Sequence, residues 1–134
     1  MPQDISGYDV GALLYCPANA HHTVAQAVAA ERLPRPFSLA LCLEDTVRAD
    51  ALAAAEQAVE YTLRELTEAA QRRAFYRPLT FVRVRSPEQL ARLGRAYGKY
   101  RPLLTGFILP KFFIETCGAY CAVIRDLQAD GLDY

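Results

Sequence analysis

Four times along this chain a short, largely apolar run is followed by a segment with helical periodicity. This alternation constrains the fold more than any other feature. The runs are ALLYC (12–16), SLALCL (38–43), LTFVRV (79–84) and GFIL (106–109). Each is too short for a stable helix and mostly unbroken rather than alternating, which suits strands of a parallel sheet covered on its faces. Between them the spacing predicts helices. In 23–33, Thr23 and Gln26 offer a capping box. In 50–74, Leu52, Ala55, Val59, Leu63, Leu66 and Ala70 recur at intervals of three or four, the spacing of one helix face. In 87–100, Ser86 precedes Pro87, with Gln89 three residues on, a cap followed by proline at the first helical position. In 113–129, Gly131 marks the stop. The expected architecture is α/β, four consecutive parallel βα units with right-handed crossovers.

Length and charge narrow the functional classes. The 134 residues suit one domain, and 52% hydrophobic residues suffice for a sizeable core. Basic and acidic residues balance at 15 each. That argues against a general nucleic-acid or membrane-surface binder, which would carry a basic excess. No apolar stretch approaches the roughly 18 residues of a membrane span. The start, MPQDISGYDVG, has neither the basic region nor the apolar core of a secretory signal. The expectation is therefore a cytoplasmic protein without nucleic-acid or membrane partners.

In α/β folds ligands bind beyond the carboxyl ends of the strands, and all four units place polar residues there. Asn19, His21 and His22 follow the first run, and Glu44 and Asp45 close the second. Arg83 and Arg85 end the third, and Lys111 follows the fourth. Two adjacent acids at the end of an apolar strand raise a particular question, because a strand alternates its faces. One acid can face the site while the other ties down the neighbouring loop. A buried carboxylate needs a cation or several donors, and by topology Arg83 and Lys111 are nearest. A ring of salt bridges that merely closes the top of the sheet is the competing explanation.

Other motifs carry less. His21 and His22 are adjacent, so on a helix they diverge by about 100° and chelate one metal poorly; they read as a solvated helix start. Cys117 and Cys121 are four apart and would share a helix face, but the four cysteines form no CxxC pair. They read as small buried thiols. No GxGxxG, GxxxxGK[ST] or GxSxG occurs, so neither a nucleotide loop nor a serine nucleophile is indicated.

The segments LLYCPAN, LCLEDTV, FVRVRS and GFILPKF resemble, in order and spacing, the first four strands of the HpcH/HpaI aldolase and citrate lyase β-subunit superfamily. The family pattern is an LFVPG-like first strand, LEDAV-like second, VRVN-like third and LPK-bearing fourth. LLYCPA and LCLED are most similar to its C–C bond lyase branch associated with tellurium-resistance stress clusters. The resemblance implies the N-terminal half of a TIM barrel, with residues 1–134 a single partial (β/α)4 unit of a lyase-like domain. It also implies Mg²⁺-dependent aldol-type cleavage or condensation of a 2-oxo acid, a hydroxy acid or an acyl-thioester. Carried over residue by residue, Glu44 and Asp45 match the acidic pair near the metal and its waters. Lys111 matches the lysine supporting that pair, which makes these three the candidate catalytic residues. Arg83 matches the arginine that grips a substrate carboxylate or carbonyl oxygen. Arg85 and Asn19 join it as candidate substrate-binding residues.

Three departures bear on that expectation. The arginine usual after the first motif is replaced by Ala20 and His21, and Arg85 stands where the family has asparagine. A full barrel takes about 250 residues, and the superfamily's two metal-ligating acids lie on its fifth and sixth strands. The expectation is thus Mg²⁺ as family cofactor with no ligand in this chain, Glu44 and Asp45 standing behind the metal's own ligands. IET at 114–116 is similar to a fifth-strand word, but its position directly after the fourth run makes it the start of a helix. Three readings follow: half of a lyase barrel, an α/β binding module without catalysis, or a half-barrel that pairs with its own copy. Exposed sheet edges favour association, so a homo-oligomer is expected.

Overall fold

The computed structural model describes residues 4–134, with the side chains of residues 20–22 outside the description. The expectation for the His21 and His22 side chains therefore falls outside the described residues. Strands β1 (Leu13–Pro17), β2 (Ser38–Cys42), β3 (Thr80–Arg83) and β4 (Leu104–Ile108) form one sheet in the order β1-β2-β3-β4. Every neighbouring pair is parallel. The helices are α1 (Gly7–Val10), α2 (His21–Ala29), α3 (Leu52–Arg72), α4 (Pro87–Ala96) and α5 (Ile114–Ala129). This is the α/β architecture that the alternation predicts, four βα units of the kind that make up half of a TIM barrel. No helix among the described residues is long and apolar enough to cross a membrane.

The boundaries show where local signals were overruled. Helix α2 starts at His21, so Thr23 lies inside it and the expected capping box at 23–26 is not its start. The chain leaves β1 through the 3-10 turn Ala18–Ala20 and runs straight on into α2, with no extended residue left to act as a cap. At Ser86 the cap forms as expected, its hydroxyl accepting from the Gln89 amide at 3.1 Å. The reciprocal half differs: Gln89 Oε1 accepts from the Arg85 amide at 2.7 Å. Strand β4 begins at Leu104, ahead of Gly106, because Leu104 already pairs with Thr80; the register shifts between Thr80 and Phe81, where Thr105 Oγ1 accepts from the Thr80 amide at 3.0 Å. Helix α1 lies ahead of the four units, and Ser6 and Asp9 spell its capping box: Asp9 Oδ2 accepts from the Ser6 amide at 2.7 Å. The IET segment opens α5, as its position required, and Gly131 ends it at φ 77°.

The core lies between the sheet and its helices. Leu39, Leu41 and Leu43 from the β2 segment, Val82 and Val84 from the β3 segment, and Val59 and Leu63 of α3 are essentially inaccessible to solvent. Each such aliphatic side chain contributes about 1.5–3 kcal/mol by leaving water. Alternation then sends Ala40, Cys42 and Glu44 to the opposite face of β2. The register sets Cys42 opposite Arg83, and Arg83 opposite Ile108. Arg83 and Glu44 thus share a face because the leucines between them belong to the core. Of the four thiols, Cys42 is buried, while Cys16, Cys117 and Cys121 are half-buried. The last two lie on α5.

Candidate functional site

Beyond the carboxyl ends of β2, β3 and β4 the chain gathers Glu44, Asp45, Arg83 and Lys111. Glu44 is the centre, only 4% exposed. Its Oε1 lies 2.8 Å from Lys111 Nζ and its Oε2 3.1 Å from Arg83 Nη2. The same Oε2 accepts from the Asp45 amide at 3.1 Å. A buried carboxylate alone would be strongly unfavourable, and these charge-assisted contacts offset its desolvation. Burial pushes the Glu44 carboxyl up. The hydrogen bonds from Lys111 and Asp45, with the Arg83 and Lys111 charges, outweigh that and hold it below its ordinary value. Glu44 is therefore ionised throughout the neutral range.

Asp45 has the opposite environment. Its side chain is 65% exposed and stands 3.7 Å from Arg83 and 3.9 Å from Lys111. The strand ladder ends just before this pair, with the Leu43 amide donating to the Arg83 carbonyl at 2.9 Å. A turn follows, closed by the Val47 amide on the Glu44 carbonyl at 3.1 Å. One acid goes inward and the other outward because the ladder stops at Leu43: Glu44 still follows the alternation of β2, while the turn that starts there carries Asp45 out to solvent.

Arg83 is placed by the small side chains of β2. Ala40 and Cys42 leave room for side chains of β1 and β3 to meet above them. The Arg83 guanidinium carbon lies 5.8 Å from the centre of the Tyr15 ring, across the intervening strand. Sequence reasoning missed Tyr15; its register opposite Ala40, on the face of Cys42 and Arg83, was the available signal. Lys111 adopts φ 51°, a left-handed backbone that costs a non-glycine residue about 1–2 kcal/mol. Thr116 helps to hold it there, its hydroxyl donating to the Lys111 carbonyl at 2.7 Å and accepting from the Phe113 amide at 3.0 Å. Glu44 in turn raises the affinity of the Lys111 ammonium for its proton through their hydrogen bond.

The remaining candidates sit differently. Asn19 is exposed in the Ala18–Ala20 turn at the same edge. Arg85 directs Nη2 to the carbonyls of Glu44 and Val47, at 3.0 and 2.5 Å. Its guanidinium therefore engages the backbone of the turn.

The fit of a divalent cation can be judged from the donors. Both Glu44 oxygens already face cations, and Mg²⁺ needs near-octahedral oxygen ligation. Among the described residues no group of three or more His, Cys, Asp or Glu side chains is placed to hold a metal ion. The described residues do not fit Mg²⁺ by themselves.

The comparison with protein families decides the affiliation. A model of C–C bond lyases of the TIM-barrel fold matches residues 4–132. The chain belongs to this family. A family of that fold accounts for the four sequential parallel βα units. No curated protein and no solved structure matches the chain.

Proposed function

We propose that this member of the C–C bond lyase family carries part of an active site for aldol-type cleavage or condensation. The chemistry would be that of the HpcH/HpaI aldolase and citrate lyase β-subunit superfamily, on a 2-oxo acid, a hydroxy acid or its thioester. The observation that supports this most is the buried Glu44 carboxylate held between Arg83 and Lys111, from two different strands, at the carboxyl edge. In the cleavage direction the substrate hydroxyl loses its proton, the carbon–carbon bond breaks, and its electron pair becomes an enolate. Arg83 presents a planar donor edge suited to a carboxylate or carbonyl oxygen. Lys111, 64% exposed, places a positive charge where enolate charge develops. Glu44 stays ionised and orients both cations. Asp45, open to solvent, is the carboxylate available to take or return the proton. Mg²⁺, the cofactor expected for the superfamily, has no ligand in this chain under the proposal.

Oxalate, a planar dianion resembling a 2-oxo acid enolate, is the probe. Calorimetry is expected to show oxalate binding by the chain, weakened about tenfold in Arg83→Ala through loss of a charged hydrogen-bond partner. A large loss of stability in R83A with unchanged oxalate affinity would leave Arg83 a purely structural ion-pair partner and overturn the reading.

A second reading is favoured by a separate observation. Leu14 and Tyr15 on edge strand β1 are 40% and 47% exposed, and an apolar strand edge favours association. A self-associating module without catalysis would show concentration-dependent sedimentation and no oxalate binding.

A further inference from the structure

We infer that Arg85 is a positioning residue of this site, a clamp on the turn that carries Glu44 and Asp45. The inference rests on the reading of Glu44, Arg83 and Lys111 as the site. It differs from the sequence expectation that Arg85 itself meets substrate. One guanidinium nitrogen, Nη2, donates to the carbonyl oxygens of both Glu44 and Val47, at 3.0 and 2.5 Å. These two residues are the ends of the turn, already joined by the Val47 amide on the Glu44 carbonyl at 3.1 Å. The clamp therefore closes the turn at both ends from outside.

The need for such a clamp follows from the backbone. The β2 ladder reaches Leu43 through its bond to the Arg83 carbonyl, at 2.9 Å. Beyond Leu43 the chain has left the sheet, and its carbonyls require other donors. A cationic donor serves better than water because the hydrogen bonds are charge-assisted and the direction is fixed. Glu44 meets Lys111 and Arg83 at 2.8 and 3.1 Å, and hydrogen bonds weaken steeply as distance and angle degrade. A small rotation of the turn would break one contact or the other.

Arg85 is itself held from behind. Its amide donates to Gln89 Oε1 at 2.7 Å, and Gln89 Nε2 donates to Glu56 Oε1 at 2.8 Å. Glu56 accepts two hydrogen bonds from Arg92, both 2.7 Å. Gln89 is only 4% exposed, so the links it makes are shielded from water, while Arg92 at the outer end is 58% exposed. It links the turn after β2, through the start of α4, to α3. The position of Glu44 is thereby tied to the two helices that cover β2 and β3.

The test compares wild type, Arg85→Ala and Arg85→Lys by amide hydrogen exchange and by oxalate calorimetry. In R85A, exchange at the Asp45 and Val47 amides is expected to rise about tenfold, with oxalate affinity falling by a similar factor. Exchange at Leu41 and Val82 in the strands stays unchanged. R85K is expected to recover most of both, since one ammonium can donate to two carbonyls. Unchanged Asp45 and Val47 exchange in R85A, equal loosening of the strands, or no recovery in R85K would each overturn the clamp. Should R85A fail to fold, R85K decides: wild-type turn exchange and oxalate affinity support the clamp, and loss of either overturns it. If wild type takes no oxalate, the functional reading falls instead, and the exchange data alone decide on Arg85.

Discussion

Lys111 Nζ lies 2.8 Å from Glu44 Oε1, although Glu44 follows β2, Lys111 follows β4, and β3 runs between them. Arg83, at the end of that middle strand, meets the other oxygen of the same carboxylate at 3.1 Å. Three adjacent strands are thus tied at their carboxyl ends through one buried anion.

Replacing that anion should loosen all three ends. Glu44→Ala leaves Arg83, whose side chain is 23% exposed, facing only the outer acid. The expected cost is about 2–3 kcal/mol, at or below the lower end for a broken buried pair because Lys111 keeps access to water. Urea denaturation checks this. A midpoint shift equivalent to under about 0.5 kcal/mol, the range of an ordinary surface substitution, would refute the burial argument.

The same group sets the response to acid. The folded state lowers the Glu44 carboxyl below its ordinary value of 4.5. Its contribution is therefore complete above that value and is lost as pH falls through the lower folded-state value. Wild type should lose stability more steeply than Glu44→Gln as the pH is lowered from 5 to about 3. Parallel curves for the two proteins would show that Glu44 has no depressed titration.

Asp45 separates charge from folding. It is exposed and more than 3.5 Å from both cations, so Asp45→Asn should change stability by under about 1 kcal/mol. The four charged side chains sum to zero, and removing this negative charge leaves a net positive site. Oxalate affinity should then rise, by about fivefold for a charge roughly 4 Å away in water. Calorimetry at low ionic strength reads the sign directly. A weaker complex would overturn the charge argument and place Asp45 in direct contact with the ligand.

Magnesium titration addresses the donor set. With both Glu44 oxygens facing cations and no cluster of three ligating side chains among the described residues, this polypeptide should bind Mg²⁺ no more tightly than millimolar. Calorimetry with the isolated chain decides it. A micromolar site, or release of a 2-oxo acid from a malyl or citryl thioester, would mean that the chain completes its own site, most simply with a second copy.

The strand order and the identity of the charged edge were legible from the residues. Apolar runs such as SLALCL and helical spacing such as that of Leu52, Val59 and Leu63 are short-range patterns, and burial enforces them wherever the chain folds compactly. Glu44, Asp45, Arg83 and Lys111 could be assigned to one edge because parallel βα units leave all strand ends on one side. Which of two adjacent acids turns inward was another matter. It depends on where the ladder stops, after the Leu43 bond to the Arg83 carbonyl, and that is a contact between segments forty residues apart.

Arg85 marks the same division. By sequence it is one more cation at the end of β3, indistinguishable in kind from Arg83. The two differ by two positions, which in a strand should leave them on one face. The chain leaves the β3 ladder after Val84, and the Gln89 side chain takes the Arg85 amide. The guanidinium therefore swings to the backbone of the neighbouring turn while that of Arg83 stays with Glu44 and Tyr15. The sequence by itself determined the elements, their order and the edge at which charge collects, because these follow from periodicity and chain direction. Tertiary structure alone decided which charge is buried, which is exposed and which holds the backbone, because desolvation and hydrogen-bond geometry depend on neighbours that no local pattern specifies.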